Sequence, residues 1–132
     1  MNAPIFQRTH SIRDLAREFG ITTRTIRFYE EAGMLNPVRD GTTRIYSDQD
    51  RVKLKLILRG KRLGFSLSES RELIDMYDPS SNNLKQIRAL CDKIQQRREA
   101  LQQQLKDIRI MENELDDAEA RCIAAIKELQ QA

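Results

Sequence analysis

Short amphipathic stretches separated by turn signals make up the first half of the chain. Apolar residues recur at helical spacing in residues 12–19 and again in residues 23–32, and a glycine follows each stretch. Ser11 precedes the first stretch and Thr22 or Thr23 opens the second, and these residue types are favoured as helix N-caps. The pattern predicts two short helices joined by a turn of three or four residues, which is the helix-turn-helix arrangement.

Residues 38–46 have the pattern of a small β-hairpin. Asp40-Gly41 is a turn dipeptide, and β-branched and aromatic residues follow it. A third helix is expected after a cap at Ser47 and ends at Gly64, and a fourth covers residues 68–77 before a proline. Two helices, a hairpin and two further helices together predict a winged-helix unit.

An apolar residue recurs at every seventh position in the second half of the chain. We call these residues the heptad stripe; they are Ile87, Ile94, Leu101, Ile108, Leu115, Cys122 and Leu129. The spacing holds over six intervals in a stretch rich in Glu, Gln, Lys and Arg, which predicts a coiled coil. A domain of this size cannot bury such a stripe, so we expect a homodimer with the first six stripe residues in its interface. The alternative is a helix folded back on its own domain. The sequence leaves open whether the helix breaks at Asn113–Asp117, since the stripe continues through this segment.

These elements divide the chain into three parts and place it in the mainly α class. They are an N-terminal tail of residues 1–9, a winged helix-turn-helix domain of residues 10–79 and a coiled-coil region of residues 80–132. The sequence contains no apolar run long enough to cross a membrane, so no membrane partner is expected. Two cysteines far apart in sequence indicate a reducing compartment, and we expect a cytoplasmic protein.

Positive charge is concentrated in the first half of the chain. Residues 8–62 contain 13 Lys and Arg against 7 Asp and Glu, whereas residues 79–132 contain 9 of each. A basic first half suits a polyanion such as double-stranded DNA, although basic residues that only solvate a surface would produce a similar excess. The chain has a single histidine and no nucleophile–base pair, phosphate loop or ligand cluster. We therefore expect no enzyme activity, no cofactor and no metal site.

One segment of the first half resembles a known family. Residues 22–35, TTRTIRFYEEAGML, together with Arg44, Tyr46 and the sequence LGFSL at residues 63–67, closely resemble the mercury-resistance-regulator (MerR) family of bacterial transcription factors. The resemblance covers residues 10–78 by motif. It implies a dimer held by an antiparallel coiled coil of long helices. It also implies binding to promoters with an overlong spacer, where the protein bends and untwists the DNA for RNA polymerase.

The residues expected to contact DNA follow from the helix-turn-helix geometry and from the resemblance. The start of the second helix faces the major groove in this arrangement, and Thr23, Arg24, Thr25 and Arg27 lie there. The resemblance implies that Tyr29, Arg44 and Tyr46 contact the DNA backbone. Arg17 and Lys61 are further candidates for phosphate contacts, with a plain solvated charge as the alternative. Tyr29 has the alternative role of a core aromatic, and Ile26, Phe19 and Phe65 are assigned to the core.

The effector is predicted from a narrower resemblance. Residues 50–67, together with Tyr77-Asp78-Pro79 and residues 119–122, are similar to regulators of the LiuR/GnyR type, which control leucine and isovalerate catabolism. This similarity implies a small organic effector of the acyl-CoA type. Such an effector is expected to bind between the coiled coil and the winged unit, near Tyr77 and Arg88.

Two alternatives to this function remain at the level of sequence. In an antiparallel dimer, Cys91 of one chain and Cys122 of the other would supply two thiolates for a soft metal ion such as Cu(I). Cys122 also lies in the heptad stripe, where a buried structural thiol is the simpler interpretation. The alternative from another class is a coiled-coil adaptor whose basic head binds a protein or a membrane.

Overall fold

A computed structural model describes residues 8–132 of the chain. Within this range it forms three short strands and five helices, namely β1 (Thr9–Ser11), α1 (Ile12–Phe19), α2 (Thr23–Glu31), β2 (Val38–Asp40), β3 (Thr43–Ser47), α3 (Asp48–Arg62), α4 (Leu67–Asp75) and α5 (Leu84–Gln131). The chain forms two compact units, one ending at Asp92 and the other comprising Lys93–Ala132. The mainly helical fold with a small antiparallel sheet and a long C-terminal helix confirms the predicted class.

Polar side chains at the helix starts determine where the helices begin. Ser11, Thr22 and Ser47 cap α1, α2 and α3, as the sequence predicts. The cap of α4 is Ser66, two residues before the predicted start at residue 68. Its hydroxyl accepts from the backbone N–H of Glu69 at 3.1 Å, and the Glu69 carboxylate accepts from the Ser66 N–H at 2.9 Å. Ser66 is the cap because it has a glutamate three residues later, which completes a capping box.

The turn between α1 and α2 depends on a glycine. Gly20 takes a left-handed conformation, with φ 65° and ψ 36°, which strains any residue that carries a Cβ. The next residue, Ile21, donates its N–H to the Ala16 carbonyl at 3.0 Å. Residues 20–22 therefore reverse the chain tightly, and α1 packs against α2 in the helix-turn-helix arrangement.

The wing is a three-stranded antiparallel sheet in the order β1-β3-β2. The hairpin of β2 and β3 covers residues 38–47, one residue more than predicted, and the two residues between its strands are Gly41 and Thr42 instead of the predicted Asp40-Gly41 turn. The sequence did not predict β1, whose Thr9 pairs with Ser47 of β3. The end of the predicted N-terminal tail therefore belongs to the sheet. The rest of that tail, residues 1–7, lies outside the described residues.

The core of the winged unit is built from all its helices and from β3. Its buried members are Leu15, Ile26, Tyr29, Met34, Leu35, Tyr46, Leu54, Ile57 and Ile74. Ile26 is fully buried, Phe65 is buried and Phe19 packs against the cluster, which confirms their assignment to the core. A Cβ on Gly60 would lie 2.8 Å from the Ser70 hydroxyl, so this glycine permits the close approach of α3 and α4.

Two side-chain pairs connect α3 with the elements that precede it. Arg51 of α3 donates to both carboxylate oxygens of Glu18 in α1, and these hydrogen bonds lower the pKa of Glu18. The Nε2 atom of His10 in β1 lies 2.6 Å from Oδ1 of Asp48 at the start of α3, and this contact lowers the pKa of Asp48. Both pairs hold α1 and β1 against the first turn of α3.

The helix α5 runs from Leu84 to Gln131, 48 residues in all, without interruption. The helix does not break at Asn113–Asp117, the segment where the sequence left a break open. This run contains no glycine or proline, and asparagine and aspartate cost a helix interior only about 0.7 kcal/mol each relative to alanine. Leu115 within it also continues the heptad stripe. None of the helices formed by residues 8–132 is apolar over a length that would cross a membrane.

Candidate DNA-binding site

Two arginines project from the first turns of α2. Arg24 and Arg27 are exposed and three residues apart, so they lie on the same face of the helix. Within residues 8–132 neither side chain has an ion-pair or hydrogen-bond partner. Thr23 is half-buried, and the hydroxyl of Thr25 lies 2.9 Å from the hydroxyl of the capping residue Thr22. The predicted reading residues are therefore together, with two guanidinium groups available to a ligand.

A basic cleft borders the start of α2. It has a volume of about 330 Å³, and the residues that line it are Phe19, Ile21, Thr22, Thr25, Leu58, Lys61 and Arg62. Lys61 and Arg62 come from the last turn of α3, so the structure brings the predicted Lys61 beside the recognition residues. Arg17 is exposed on α1 and has no side-chain partner in the described part of the chain.

The two predicted tyrosines are buried. Tyr29 is 4% exposed and Tyr46 is fully buried, and both belong to the core of the winged unit. Burial raises the pKa of Tyr29. Burial and the nearby negative charge of Glu30 raise the pKa of Tyr46 to about 12, so its hydroxyl remains a hydrogen-bond donor at neutral pH. Contact of these tyrosines with DNA stays a prediction, and in the free chain they support the elements around them.

A glutamate of α2 connects the recognition helix with the wing. Arg44 of β3 donates through Nε to Oε1 of Glu30 at 2.6 Å, and Arg39 of β2 donates through Nη2 to Oε2 at 3.1 Å. The Tyr46 hydroxyl also donates to Oε1, at 3.2 Å. Burial alone would raise the pKa of Glu30, but the hydrogen bonds from Arg44, Arg39 and Tyr46 and the charge of Arg44 lower it. We call these four residues the Glu30 cluster.

Two members of this cluster, Arg44 and Tyr46, were predicted from the sequence as site residues, and Glu30 and Arg39 were not. The sequence contained no signal for Arg39, because the predicted Asp40-Gly41 turn would pair Arg39 with Thr42, whereas the observed Gly41-Thr42 connection pairs Arg39 with Arg44. No sequence signal links Glu30 to the wing, since the contact depends on how the hairpin packs against α2. The wing also borders an open cleft of about 330 Å³ lined by Ser11, Ile12, Arg13, Thr42, Thr43 and Arg44.

Acidic pH is expected to destabilise the winged unit. The pKa values of Glu18, Glu30 and Asp48 lie below their ordinary values of 4.5, 4.5 and 3.8. A carboxylate whose pKa is lower in the folded chain than in the unfolded chain stabilises the fold above the unfolded value. That contribution is lost as the pH falls through the folded value. The midpoint of thermal unfolding, followed by circular dichroism, should therefore decrease between about pH 5 and about pH 3.

The Glu30→Gln variant provides the comparison for this acid effect. It lacks one of the three titrating carboxylates, so its midpoint should decrease less than that of the wild type over the same pH range. A wild-type midpoint that stays constant between pH 5 and pH 3 would contradict the assignment of these pairs as stabilising.

The fourth helix connects α2 with the start of α5. Arg71 of α4 donates through Nη2 to the carbonyl of Ala32, which is the C-cap of α2. Gln86, a buried residue of α5, donates through Nε2 to the carbonyl of Leu73 in α4 at 2.9 Å. The end of the recognition helix and the first turn of the long helix therefore bind the same short helix.

An apolar cavity of about 120 Å³ lies where α3, α4 and the first turns of α5 meet. Its lining residues are Leu56, Arg59, Gly60, Phe65, Leu73, Gln86, Ile87 and Leu90. Arg59 and Gln86 are the polar residues of this lining. Neither Tyr77 nor Arg88, which the sequence suggested for an effector, lines the cavity.

Both thiols are accessible in the single chain. Cys91 and Cys122 are unpaired and exposed, and they belong to different compact units. Residues 8–132 contain no group of three or more His, Cys, Asp and Glu side chains placed to hold a metal ion.

The chain is similar in sequence to known helix-turn-helix regulators. The family described as MerR HTH family regulatory protein matches residues 10–77, and one described as MerR, DNA binding matches residues 51–118. The HTH-type transcriptional regulator CueR of Escherichia coli O6:H1 is 31% identical over 108 residues, covering 80% of this chain and 77% of CueR. The HTH-type transcriptional regulator ZntR of Escherichia coli K12 is 29% identical over 116 residues, covering 86% of this chain and 80% of ZntR.

Solved structures give the same result. HiNmlR, a MerR family regulator lacking the sensor domain, was solved bound to promoter DNA. Its structure matches this chain with a TM-score of 0.56 and 25% sequence identity, and the match covers 75% of this chain and 76% of HiNmlR. A MerR family regulator from Bacillus cereus shares the fold, with a TM-score of 0.62 and 24% sequence identity. The match covers 83% of this chain and 79% of that regulator. The helix-turn-helix, the wing and these matches together identify the chain as a member of the MerR family of DNA-binding transcriptional regulators.

Proposed function

We propose that two copies of this chain bind one promoter site, with Arg24 and Arg27 of each α2 in the major groove. The observation that carries the proposal is the pair of exposed guanidinium groups at the start of α2, neither of which has a protein partner in the described chain. Arginine donates two hydrogen bonds to a guanine edge or to phosphate oxygens, which suits this position. Lys61 beside the same helix start adds a phosphate contact. The similarity to HiNmlR, which was solved bound to promoter DNA, supports promoter DNA as the ligand.

The second copy is proposed to cover the heptad stripe. In the single chain Leu101, Ile108 and Leu115 are 50%, 55% and 61% exposed, and long apolar stripes on soluble proteins mark interaction surfaces. Residues 79–132 carry equal numbers of acidic and basic side chains, so two copies can pair without net repulsion. The family resemblance favours an antiparallel pair, which places the two winged units at opposite ends of the coiled coil.

The dimer is proposed to act by deforming the DNA between its two half-sites. Bending and untwisting an overlong spacer brings the two polymerase elements into register, so RNA polymerase at the same promoter is the functional partner. The energy of this deformation depends on the spacer sequence, which the protein does not need to contact. Contacts at the two half-sites offset that energy.

The proposed effector is a branched acyl-CoA ester, as the narrower resemblance suggests. The apolar cavity between α3, α4 and α5 supports binding of the branched acyl group alone, because its volume of about 120 Å³ is close to the roughly 150 Å³ of cavities that bind benzene, and the CoA moiety would lie outside it. Arg59 at its border provides positive charge for the ester or its phosphates. Gln86, which lines the cavity, and Arg71 link it through α4 to the end of α2. The exposed thiols of Cys91 and Cys122 make a soft-metal effector the alternative.

Footprinting on the promoter upstream of the protein's own operon tests this function. We expect a protected palindrome across an overlong spacer and a change of its central pattern when isovaleryl-CoA is added. Protection that responds to Cu(I) but not to the ester would assign the effector to the two thiols. Absence of protection even at low salt would contradict DNA binding by this surface and favour an adaptor with a basic head.

A further inference from the structure

The wing places two arginines directly opposite each other. Arg39 of β2 and Arg44 of β3 are register partners in the hairpin. Like charges at such positions destabilise a pair of strands. The carboxylate of Glu30 contacts both guanidinium groups, with one oxygen for each, and therefore offsets this repulsion. The wing depends for its charge balance on a residue of the recognition helix.

The contact with Arg44 uses only one part of its guanidinium group. Arg44 donates to Glu30 through Nε, and its two terminal nitrogens have no acceptor in the described part of the chain. A guanidinium group is planar with donors in a fixed fork, so a carboxylate at Nε also fixes the direction of those terminal nitrogens. The side chain is 21% exposed and borders the wing cleft together with Arg13 and Thr43.

We propose that Glu30 is a positioning residue for DNA binding, which orients Arg44 toward a backbone phosphate at the wing cleft. This inference rests on the proposed DNA-binding function. Glu30 lies three residues after Arg27 on α2, so the same helix carries a base-reading arginine and the carboxylate that orients the wing. Tyr46 donates to the same oxygen of Glu30 as Arg44 does and acts as a second positioning residue. Glu30 thereby fixes the position of the wing's phosphate contact relative to the base contacts of α2.

The direction in which Glu30→Gln changes DNA affinity distinguishes a positioning role from simple electrostatic repulsion of the DNA. Glu30→Gln removes a negative charge near DNA, so a repelling carboxylate predicts tighter binding. A positioning role predicts weaker binding instead, by about tenfold, the size expected for one impaired phosphate contact in each subunit. Glu31→Gln is the matched control, since Glu31 is the next residue of α2 and is exposed. It should bind promoter DNA as tightly as the wild type or slightly more tightly.

Fluorescence anisotropy on the footprinted promoter, repeated over a range of salt concentrations, provides the measurement. Arg44→Ala should make the salt dependence of the binding constant less steep by about one contact per subunit, and Glu30→Gln should change it in the same direction. In the Arg44→Ala background, Glu30→Gln should have no further effect. Arg44→Lys keeps the charge but lacks the fork, so it should bind about as weakly as Arg44→Ala even if Glu30→Gln fails to fold.

The possible outcomes distinguish failure of the proposed DNA-binding function from failure of the positioning role of Glu30. Wild-type protein that fails to bind promoter DNA at low salt contradicts the proposed function itself. Wild-type binding combined with equal or tighter binding by folded Glu30→Gln, or with full affinity in Arg44→Lys, overturns the positioning role and leaves the proposed function in place.

Discussion

Replacing Arg27 with alanine is expected to abolish specific binding to the promoter while the chain stays folded and dimeric. Arg27 is exposed at the start of α2 and has no partner in the described chain, so its removal leaves the fold unchanged. One arginine contact with a guanine contributes about 1–3 kcal/mol, and a dimer loses two of them. The combined loss of about 2–6 kcal/mol corresponds to a decrease in affinity of roughly thirtyfold or more.

The control for Arg27→Ala removes one positive charge elsewhere. Lys106 is exposed on α5 and lies between the stripe residues 101 and 108, on the opposite side of the helix. Lys106→Ala should bind the promoter as the wild type does. Footprinting and anisotropy with both variants, together with light scattering for the dimer, complete the test. Unchanged binding by Arg27→Ala would remove the assignment of α2 as the recognition helix.

The parts of the fold that the sequence predicted depend on short-range chemistry. A cap acts on the next three residues, as Ser47 does on Asp50, and a glycine in the left-handed conformation ends a helix wherever it occurs. The seven-residue repeat of α5 is also a local pattern, because seven residues make about two helical turns and place the repeated apolar residues on one face of the helix. These features made the helix-turn-helix, the hairpin and the long helix predictable.

The features that the sequence did not predict depend on packing between distant segments. Strand β1 has three residues, and its pairing with β3 joins residues more than thirty positions apart. The contacts of Glu30 with the wing also require the hairpin to lie against α2, which no local pattern specifies. The sequence left open whether α5 breaks at Asn113–Asp117, and the helix is continuous there because polar residues without glycine or proline do not end a helix of this length.

The candidate site shows the same division between local and long-range features. The grouping of the four residues at the start of α2 was predictable, because the cap at Thr22 fixes where the first turn of the helix lies, and their contact with DNA stays a prediction. The burial of Tyr46 was not predicted, and for Tyr29 the core position was one of two interpretations, since a tyrosine next to arginines suits both a phosphate contact and a core position. The burial of Tyr46 and its hydrogen bond to Glu30 support a role in orienting Arg44.

Replacing both Leu101 and Ile108 with lysine is expected to convert the dimer into monomers. Both residues belong to the heptad stripe and are half-exposed in the single chain, so the dimer interface is where their burial would occur. Full burial of such a side chain stabilises by about 1.5–3 kcal/mol, and about half of that remains for these half-exposed residues, so the four copies in the dimer contribute about 3–6 kcal/mol. Sedimentation equilibrium should then give the 15.4 kDa mass of the single chain instead of twice that value.

The same variant should lose promoter binding, because a monomer contacts one half-site and lacks the second, linked contact, which is worth about 10²–10⁴ in affinity. The matched control is Gln102→Lys with Asn113→Lys, which adds the same two charges at exposed positions of α5 outside the stripe. This control should remain dimeric and bind DNA, because it leaves the stripe intact. A stripe variant that stays dimeric at micromolar concentration would show that another surface joins the two copies, and the long helix would then need a different role.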